Sequence, residues 1–220
     1  GKTKLMTPDE HYQDLKRVIL AISDKARRIN VIMPYLYGGR QHKRNGRESL
    51  DCAYMLQELH DLGVSNFITF DAHDPRVANA IPVSGFENIP ATYQIIKALK
   101  RVMPELSSQN DQLMVISPDE GALQRALYFS SLLKAPLGTF YKRRDYTQVV
   151  NGRNPIQSHD FLGDSADDMD ILILDDMISS GDSILDIARE MKDRGANHVN
   201  CAATFGLFTN GLEQFNQAYE

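Results

Sequence analysis

Four apolar residues, Ile171–Leu174, run directly into two aspartates, Asp175 and Asp176. The chain then passes through Met177 and Ile178 into a small-residue loop, Ser179-Ser180-Gly181-Asp182-Ser183, that opens an amphipathic stretch. A short apolar run bounded by polar residues predicts a buried strand. A strand that feeds a helix through so short a loop predicts a βαβ unit, and with it a parallel α/β sheet. Each polar part has a chemical use as well. Adjacent carboxylates at a strand end accept hydrogen bonds from two vicinal hydroxyls, as on a ribose, and bonds to a charged acceptor contribute about 1.5–3 kcal/mol each. The loop offers backbone N–H groups and the hydroxyls of Ser179, Ser180 and Ser183 at a helix N-terminus, where the dipole favours an anion such as phosphate. Gly181 lets the backbone approach closely. Any one of these residues alone reads as a polar turn with a helix cap; the whole run favours a ribose-phosphate site. Asp182 is discordant, because a carboxylate beside a phosphate is unfavourable unless it points away.

The same rhythm continues along the chain. His11–Arg28 carries Leu15, Val18, Ile19, Ile22 and Ala26 at helical spacing, and Val31–Met33 is an apolar run stopped by Pro34. Ser49 is placed to cap a helix over Leu50–Leu62 that ends at Gly63. Further strands are predicted at Phe67–Phe70, Leu113–Ser117, Leu137–Tyr141 and Val199–Thr204. Helices are predicted at Pro90–Val102, Ala122–Leu133, Ser183–Arg194 and Leu212–Tyr219, and Asn151-Gly152 predicts a turn inside the polar stretch Asp145–Asp168. Alternation of this kind gives parallel sheets covered on both faces, with polar loops at the carboxyl ends of strands, where ligands bind in such folds. The connector around Pro82–Asn88 is the expected boundary between two similar halves.

At 220 residues the chain is long enough for one large or two small α/β domains. Its formal net charge of −5 carries no nucleic-acid footprint. No run approaches the ~18 apolar residues of a membrane helix, and no secretory leader precedes the first helix. Cys52 and Cys201 sit in apolar stretches without metal-binding or redox spacing, as reduced core thiols of a cytosolic protein do. The expectation is therefore a cytoplasmic protein whose partners are neither nucleic acid nor membrane. His11, His60, His159 and His198 are expected on the surface.

Local charge is more informative. Arg40, Lys43, Arg44 and Arg47 occur together with no acid among them, which reads either as a solvated basic loop or as a loop facing a triphosphate. Lys142-Arg143-Arg144 follows a predicted strand, with the same two readings. His73 lies between Asp71 and Asp74 at another strand end.

Taken together these segments resemble the ribose-phosphate pyrophosphokinases, or PRPP synthetases, of the type I phosphoribosyltransferase fold. The resemblance rests on Pro34–Arg47 (PYLYGGRQHKRNGR), Asp71–His73, Ser117–Arg125 (SPDEGALQR), Tyr141–Arg144 and the Asp175–Ser183 loop, in matching order over about residues 30–210. It implies two similar parallel-sheet α/β domains, residues 1–85 as an incomplete N-terminal one and residues 86–220 as a C-terminal one carrying the ribose-phosphate loop. It also implies transfer of pyrophosphate from Mg-ATP to C1 of ribose 5-phosphate, giving PRPP and AMP. The roles implied are ATP contacts for Arg40 and Gln41 and Mg²⁺ for His73 and Asp119. Asp175, Asp176, Ser179, Ser180, Gly181, Asp182 and Ser183 would hold ribose 5-phosphate, and Lys142 and Arg144 would stabilise the transition state. Active sites at subunit contacts in the family imply a homo-oligomer. Three positions depart from the family pattern: His42 stands where an Asp is usual, Ala122 where a second Gly is usual, and Ser179 where many members have Asp. Two other classes remain open, a phosphoribosyltransferase that consumes PRPP and a non-catalytic regulatory subunit that binds the same ligands.

Overall fold

The computed structural model describes residues 5–44, 46–102, 111–144 and 156–219. They divide into two compact units, Gly1–Ala91 and Thr92–Glu220.

The first unit opens with α1 (Pro8–Ile22), followed by β1 (Ile29–Ile32), α2 (Asp51–Asp61), β2 (Val64–Phe70), a 3₁₀ helix (Pro75–Ala80) and β3 (Gly85–Ile89). Helix α1 starts earlier than its apolar spacing predicts because Thr7 and Glu10 form a reciprocal capping box: each side chain accepts from the other's backbone N–H. Its buried face is Tyr12 and Ile19 with Leu15 against the core, whereas the predicted face residues Val18 and Ile22 are exposed. In α2 the predicted cap Ser49 plays no part; Leu50 occupies the cap position at φ +60 with no side-chain hydrogen bond. Cys52, Met55, Leu56 and Leu59 supply the buried face of α2. The three strands lie in the order β1-β2-β3, all parallel. Strand β3 falls on the expected domain connector. It pairs with β2 from Asn66↔Gly85 to Phe70↔Ile89, so it belongs to the first unit, and the division lies after Ala91 rather than after residue 85.

The second unit contains α3 (Thr92–Val102), β4 (Leu113–Ser117), α4 (Leu123–Leu133), β5 (Leu137–Arg144), β6 (Ile156–Leu162), β7 (Asp170–Ile178), α5 (Asp182–Asp193), β8 (His198–Gly206) and α6 (Glu213–Tyr219). Strand order is β6-β5-β4-β7-β8, parallel except for the antiparallel β5–β6 pair. Strand β6 lies where the sequence predicts only a polar connector. It extends β5 past Tyr141, because Lys142 pairs with His159 and Arg144 with Ile156. The predicted Asn151-Gly152 turn lies outside the described residues. The period of 2 along the central strands packs both faces. Met114, Ile116, Ile171 and Ile173 join a core with Ile187 and Met191 of α5. Leu113, Val115, Leu172 and Leu174 join another with Ala126 and Phe129 of α4. Cys201, expected in the core, is exposed on edge strand β8, while Cys52 is buried.

This topology places a site. From β4 the chain leaves through α4 to β5 on one side, and from β7 it leaves through α5 to β8 on the other. The neighbours β4 and β7 therefore form a switch point, and in open α/β sheets ligands bind in the crevice beyond the carboxyl ends of such strands. Among the described residues no helix is long and apolar enough to cross a membrane.

Candidate active site

Two loops bound the crevice of the second unit: Pro118–Ala122 after β4, and Ser179–Gly181 after β7. Strand β7 pairs with β4 only from Asp170 to Ile173 but runs beside β8 as far as Ile178↔Gly206. Asp175 and Asp176 thus lie inside the strand, not beyond its end as predicted, because β8 continues to supply ladder partners. Past Ile173 the edge of β7 that faces β4 is no longer paired to it, which opens that edge to the crevice.

The two carboxyls are held close together. The Asp176 N–H donates to Asp175 Oδ1 at 2.8 Å. Asp175 is half-buried and Asp176 buried. Burial, with the hydrogen bond and charge of Asp176 and the more distant charge of Asp119, pushes the Asp175 carboxyl from 3.8 up to about 7. Near neutral pH the Asp175 carboxyl is therefore protonated in only part of the molecules. This has a measurable consequence for the ligand-free protein. A raised carboxyl contributes stability below its unfolded value near 3.8 and loses that contribution as pH rises through about 7. In urea denaturation, Asp175→Asn should gain stability relative to wild type as pH rises from about 4 to about 7, with no further change above. A difference independent of pH would contradict the raised carboxyl.

The loop after β7 is short because Gly181 turns at φ +97 directly into α5, which has no side-chain cap. The Asp182 N–H donates to Ser180 Oγ at 3.4 Å, and the other first-turn N–H groups of α5 remain for an anion. Thr209 N–H donates to Ser179 O at 3.0 Å and Leu207 N–H to Ile178 O at 2.8 Å, so the segment after β8 fixes the loop's start. Asp182 and Ser183 are exposed on the first turn of α5, while Ser179 and Ser180 are half-buried. Across the crevice Asp119 Oδ1 accepts from the N–H groups of Gly121 and Ala122 at 3.0 and 3.2 Å, tying its carboxyl to the start of α4. Ala122 sits at φ −85, a conformation open to any residue, so the missing glycine costs this loop nothing.

The remaining predicted residues lie elsewhere. Lys142 and Arg144 are on β5, within the strand rather than in a loop after it, and their side chains lie outside the described residues. Arg40 and Gln41 belong to the first unit, where Gln41 N–H donates to Gly38 O at 2.7 Å in a tight turn. They line a cavity of about 620 Å³ together with Tyr12, Tyr35, Tyr37 and Asp51. Tyr12 and Tyr37 stack at 4.7 Å, and their hydroxyls donate to Glu58 and Asp9. Reading α1 as a core helix missed this cavity; the tyrosines of the PYLY segment were its only signal.

His73 is exposed in the loop after β2, where Ala72 N–H donates to Asn88 Oδ1 at 2.8 Å and Asp71 N–H to Ile89 O at 3.0 Å. Its neighbour in space is His42, the residue that departs from the family pattern, with ring centres 5.1 Å apart. Burial and His73 lower the His42 pKa, with Asp74 and the Arg40 backbone working the other way. Asp74 is held by Arg76, which keeps its carboxyl down at about 2. His60, expected on the surface, is half-buried and bonds Ser84 Oγ at 2.6 Å. Among the described residues no three His, Cys, Asp or Glu groups converge as a closed metal-binding set. Magnesium does not require one, since it takes one or two carboxylates and fills its sphere with phosphate oxygens and water. Asp119 and Asp175 suit it; the imidazoles of the first unit suit it less well.

Comparison with known proteins gives two family matches. Residues 85–214 match the phosphoribosyl transferase domain, and residues 2–63 match the N-terminal domain of ribose phosphate pyrophosphokinase. The ribose-phosphate pyrophosphokinase of Ureaplasma parvum is 30% identical over 213 residues, covering 93% of this chain and 60% of its own length. Ribose-phosphate pyrophosphokinase 1 of Lactococcus lactis is 30% identical over 223 residues, covering 97% of this chain and 65% of its own length. The chain thus spans under two thirds of each of these relatives. The phosphoribosylpyrophosphate synthetase of Mycobacterium smegmatis shares the fold, with a TM-score of 0.78 over 90% of this chain and 61% of its own, at 21% identity.

Proposed function

The chain belongs to the ribose-phosphate pyrophosphokinase family, and from that premise we propose that it carries out pyrophosphate transfer from Mg-ATP to C1 of ribose 5-phosphate. The observation that carries this reading is the paired carboxyls of Asp175 and Asp176 beside the uncapped N-terminus of α5, at the β4–β7 switch point.

In this reading Asp175 and Asp176 accept hydrogen bonds from the ribose 2- and 3-hydroxyls. The backbone and hydroxyls of Ser179–Ser183 hold the 5-phosphate, with the exposed Asp182 carboxylate turned to solvent. The C1 oxygen attacks the β-phosphorus of ATP, the bond from that phosphorus to the α–β bridging oxygen breaks, and AMP leaves. The proton of the C1 hydroxyl departs to water or phosphate. Arg40 and Gln41 bind the nucleotide, and Lys142 and Arg144 offset charge on the transferred group, since positioning and charge stabilisation dominate phosphoryl-type chemistry. His73 and Asp119 would face Mg²⁺, which when bound shields the triphosphate charge. The two compact units correspond to the two phosphoribosyltransferase-like domains, and cytoplasmic location and self-association belong to the same reading.

The test is a quenched assay of the intact protein with Mg-ATP, with and without ribose 5-phosphate. AMP formed only when the sugar phosphate is present supports transfer; tight sugar-phosphate binding with no AMP favours a regulatory subunit. Arg40→Ala should raise KM for ATP about 10–100-fold, from the loss of a charged contact of about 1.5–3 kcal/mol, and leave KM for ribose 5-phosphate unchanged. An unchanged KM for ATP would remove Arg40 from the nucleotide site.

A further inference from the structure

The segment that follows β8 closes around the start of the loop Ser179–Gly181. Leu207 N–H and Phe208 N–H both donate to Ile178 O, at 2.8 and 3.4 Å, and Thr209 N–H donates to Ser179 O at 3.0 Å. Phe208 holds φ +45, a conformation unfavourable for a residue with a side chain, so its surroundings must keep it there. The chain then enters α6, which has seven residues. Helices shorter than about 12–15 residues are marginal in water on their own, so α6 depends on contacts with the rest of the unit. Across residues 213–218 every residue is exposed except Phe215. Among the described residues Phe215 is therefore the anchor of α6.

That anchor is seated on the loop itself. The Phe215 ring fills the space where a side chain on residue 181 would begin, and Gly181 leaves that space open. The ring also meets Phe208 edge-on, with centres 5.4 Å apart, an arrangement that aromatic pairs favour. Both rings pack against the core that contains Ile178, Ile184 and Ile187, which flank the loop on either side. A phenyl ring offers no hydrogen bond to a sugar or a phosphate, so any effect on the ligand passes through Gly181.

We propose that Phe215 is a positioning residue: by clamping Gly181 it holds the start of α5 in the shape that receives the 5-phosphate, and the docking of α6 is linked to occupancy of that loop. This rests on the proposed role of the Asp175–Ser183 segment in holding ribose 5-phosphate. Linkage is reciprocal. A clamp that favours the binding shape raises affinity for the sugar phosphate, and the bound sugar phosphate holds α6 in place to the same extent.

Hydrogen exchange of the intact protein, followed by mass spectrometry with and without saturating ribose 5-phosphate, reads the linkage. Amides of α6 should exchange about 5-fold more slowly, or slower still, when the ligand is present. Slowing confined to Ser179–Ser183 overturns the proposal. Calorimetric titration gives affinities without turnover. Phe215→Ala should weaken ribose 5-phosphate binding about 5-fold or more and leave ATP binding unchanged, and Phe215→Leu should restore most of the loss. Gln214→Ala, at an exposed position on the same helix, should alter neither affinity. Equal affinity in Phe215→Ala and wild type, or a parallel loss for both ligands, also overturns it. Should Phe215→Ala fail to fold, Phe215→Leu and the exchange of the wild-type protein decide. AMP formation is followed in the same preparation. Turnover with an affinity indifferent to Phe215 removes the clamp alone. Phe215-dependent binding without AMP supports the clamp while removing the reaction, and absence of ribose 5-phosphate binding removes both.

Discussion

Replacing Asp175 and Asp176 together by Asn should lower the affinity for ribose 5-phosphate by about 10–10²-fold, from exchanging two hydrogen bonds to charged acceptors, at roughly 1.5–3 kcal/mol each, for neutral ones at roughly 0.5–1.5 kcal/mol. The geometry explains why both are needed. The Asp175 carboxyl accepts from the Asp176 backbone N–H, one residue half-buried and the other buried, in a part of β7 that pairs with β8 but no longer with β4. Asn preserves the size of each side chain and one acceptor oxygen, so the fold should survive. It also removes the carboxyl that burial and the charge of Asp176 push up to about 7, so the double variant should be at least as stable as wild type at neutral pH. Loss of binding with retained stability separates a ligand role from a structural one. Calorimetric titration with ribose 5-phosphate, beside urea denaturation, reads both. Unchanged affinity would remove the carboxyl pair from the sugar site.

The second large effect is expected at Gly181. Its φ of +97 is strained for any residue with a side chain, and a Cβ there would stand 2.4 and 2.5 Å from two ring atoms of Phe215. Phe215 cannot retreat freely, because its ring meets Phe208 edge-on at 5.4 Å. Gly181→Ala should therefore combine backbone strain of about 1–3 kcal/mol with overpacking of about 1–3 kcal/mol. The affinity for ribose 5-phosphate should fall as well, since the start of α5 moves with the loop. A double-mutant cycle with Phe215→Ala separates the two costs. Coupling of about 1–3 kcal/mol assigns the clash to the ring; additive losses would show that Phe215 does not support the loop.

Legibility from the sequence followed the physics of pairing. Strand β4 reads correctly end to end because it is buried on both faces and its apolar run has nowhere else to go. The start of β7 reads for the same reason, but its end does not, since Asp175 and Asp176 are polar and stay in the strand only because β8 lies alongside. Strands β3 and β6 were hidden. GFENI resembles a connector until Gly85 meets Asn66, and IQSHDFL is polar in the manner of an edge. For the site, residue types were legible one at a time and the family resemblance supplied their order. His42 was visible only as a departure. Its position opposite His73 follows from two neighbouring parallel strands ending side by side, which no spacing along the chain reveals.

Under the proposed function, ribose 5-phosphate held by the Asp175–Ser183 segment receives the β- and γ-phosphates of ATP as one group. Phosphorus NMR of the intact protein with Mg-ATP and ribose 5-phosphate follows every phosphate at once. The expected result is AMP and 1-pyrophosphoryl ribose 5-phosphate growing in equal amounts, and neither in the Asp175→Asn, Asp176→Asn double variant. ADP with a ribose bisphosphate, or AMP with free pyrophosphate and unchanged sugar phosphate, would contradict it.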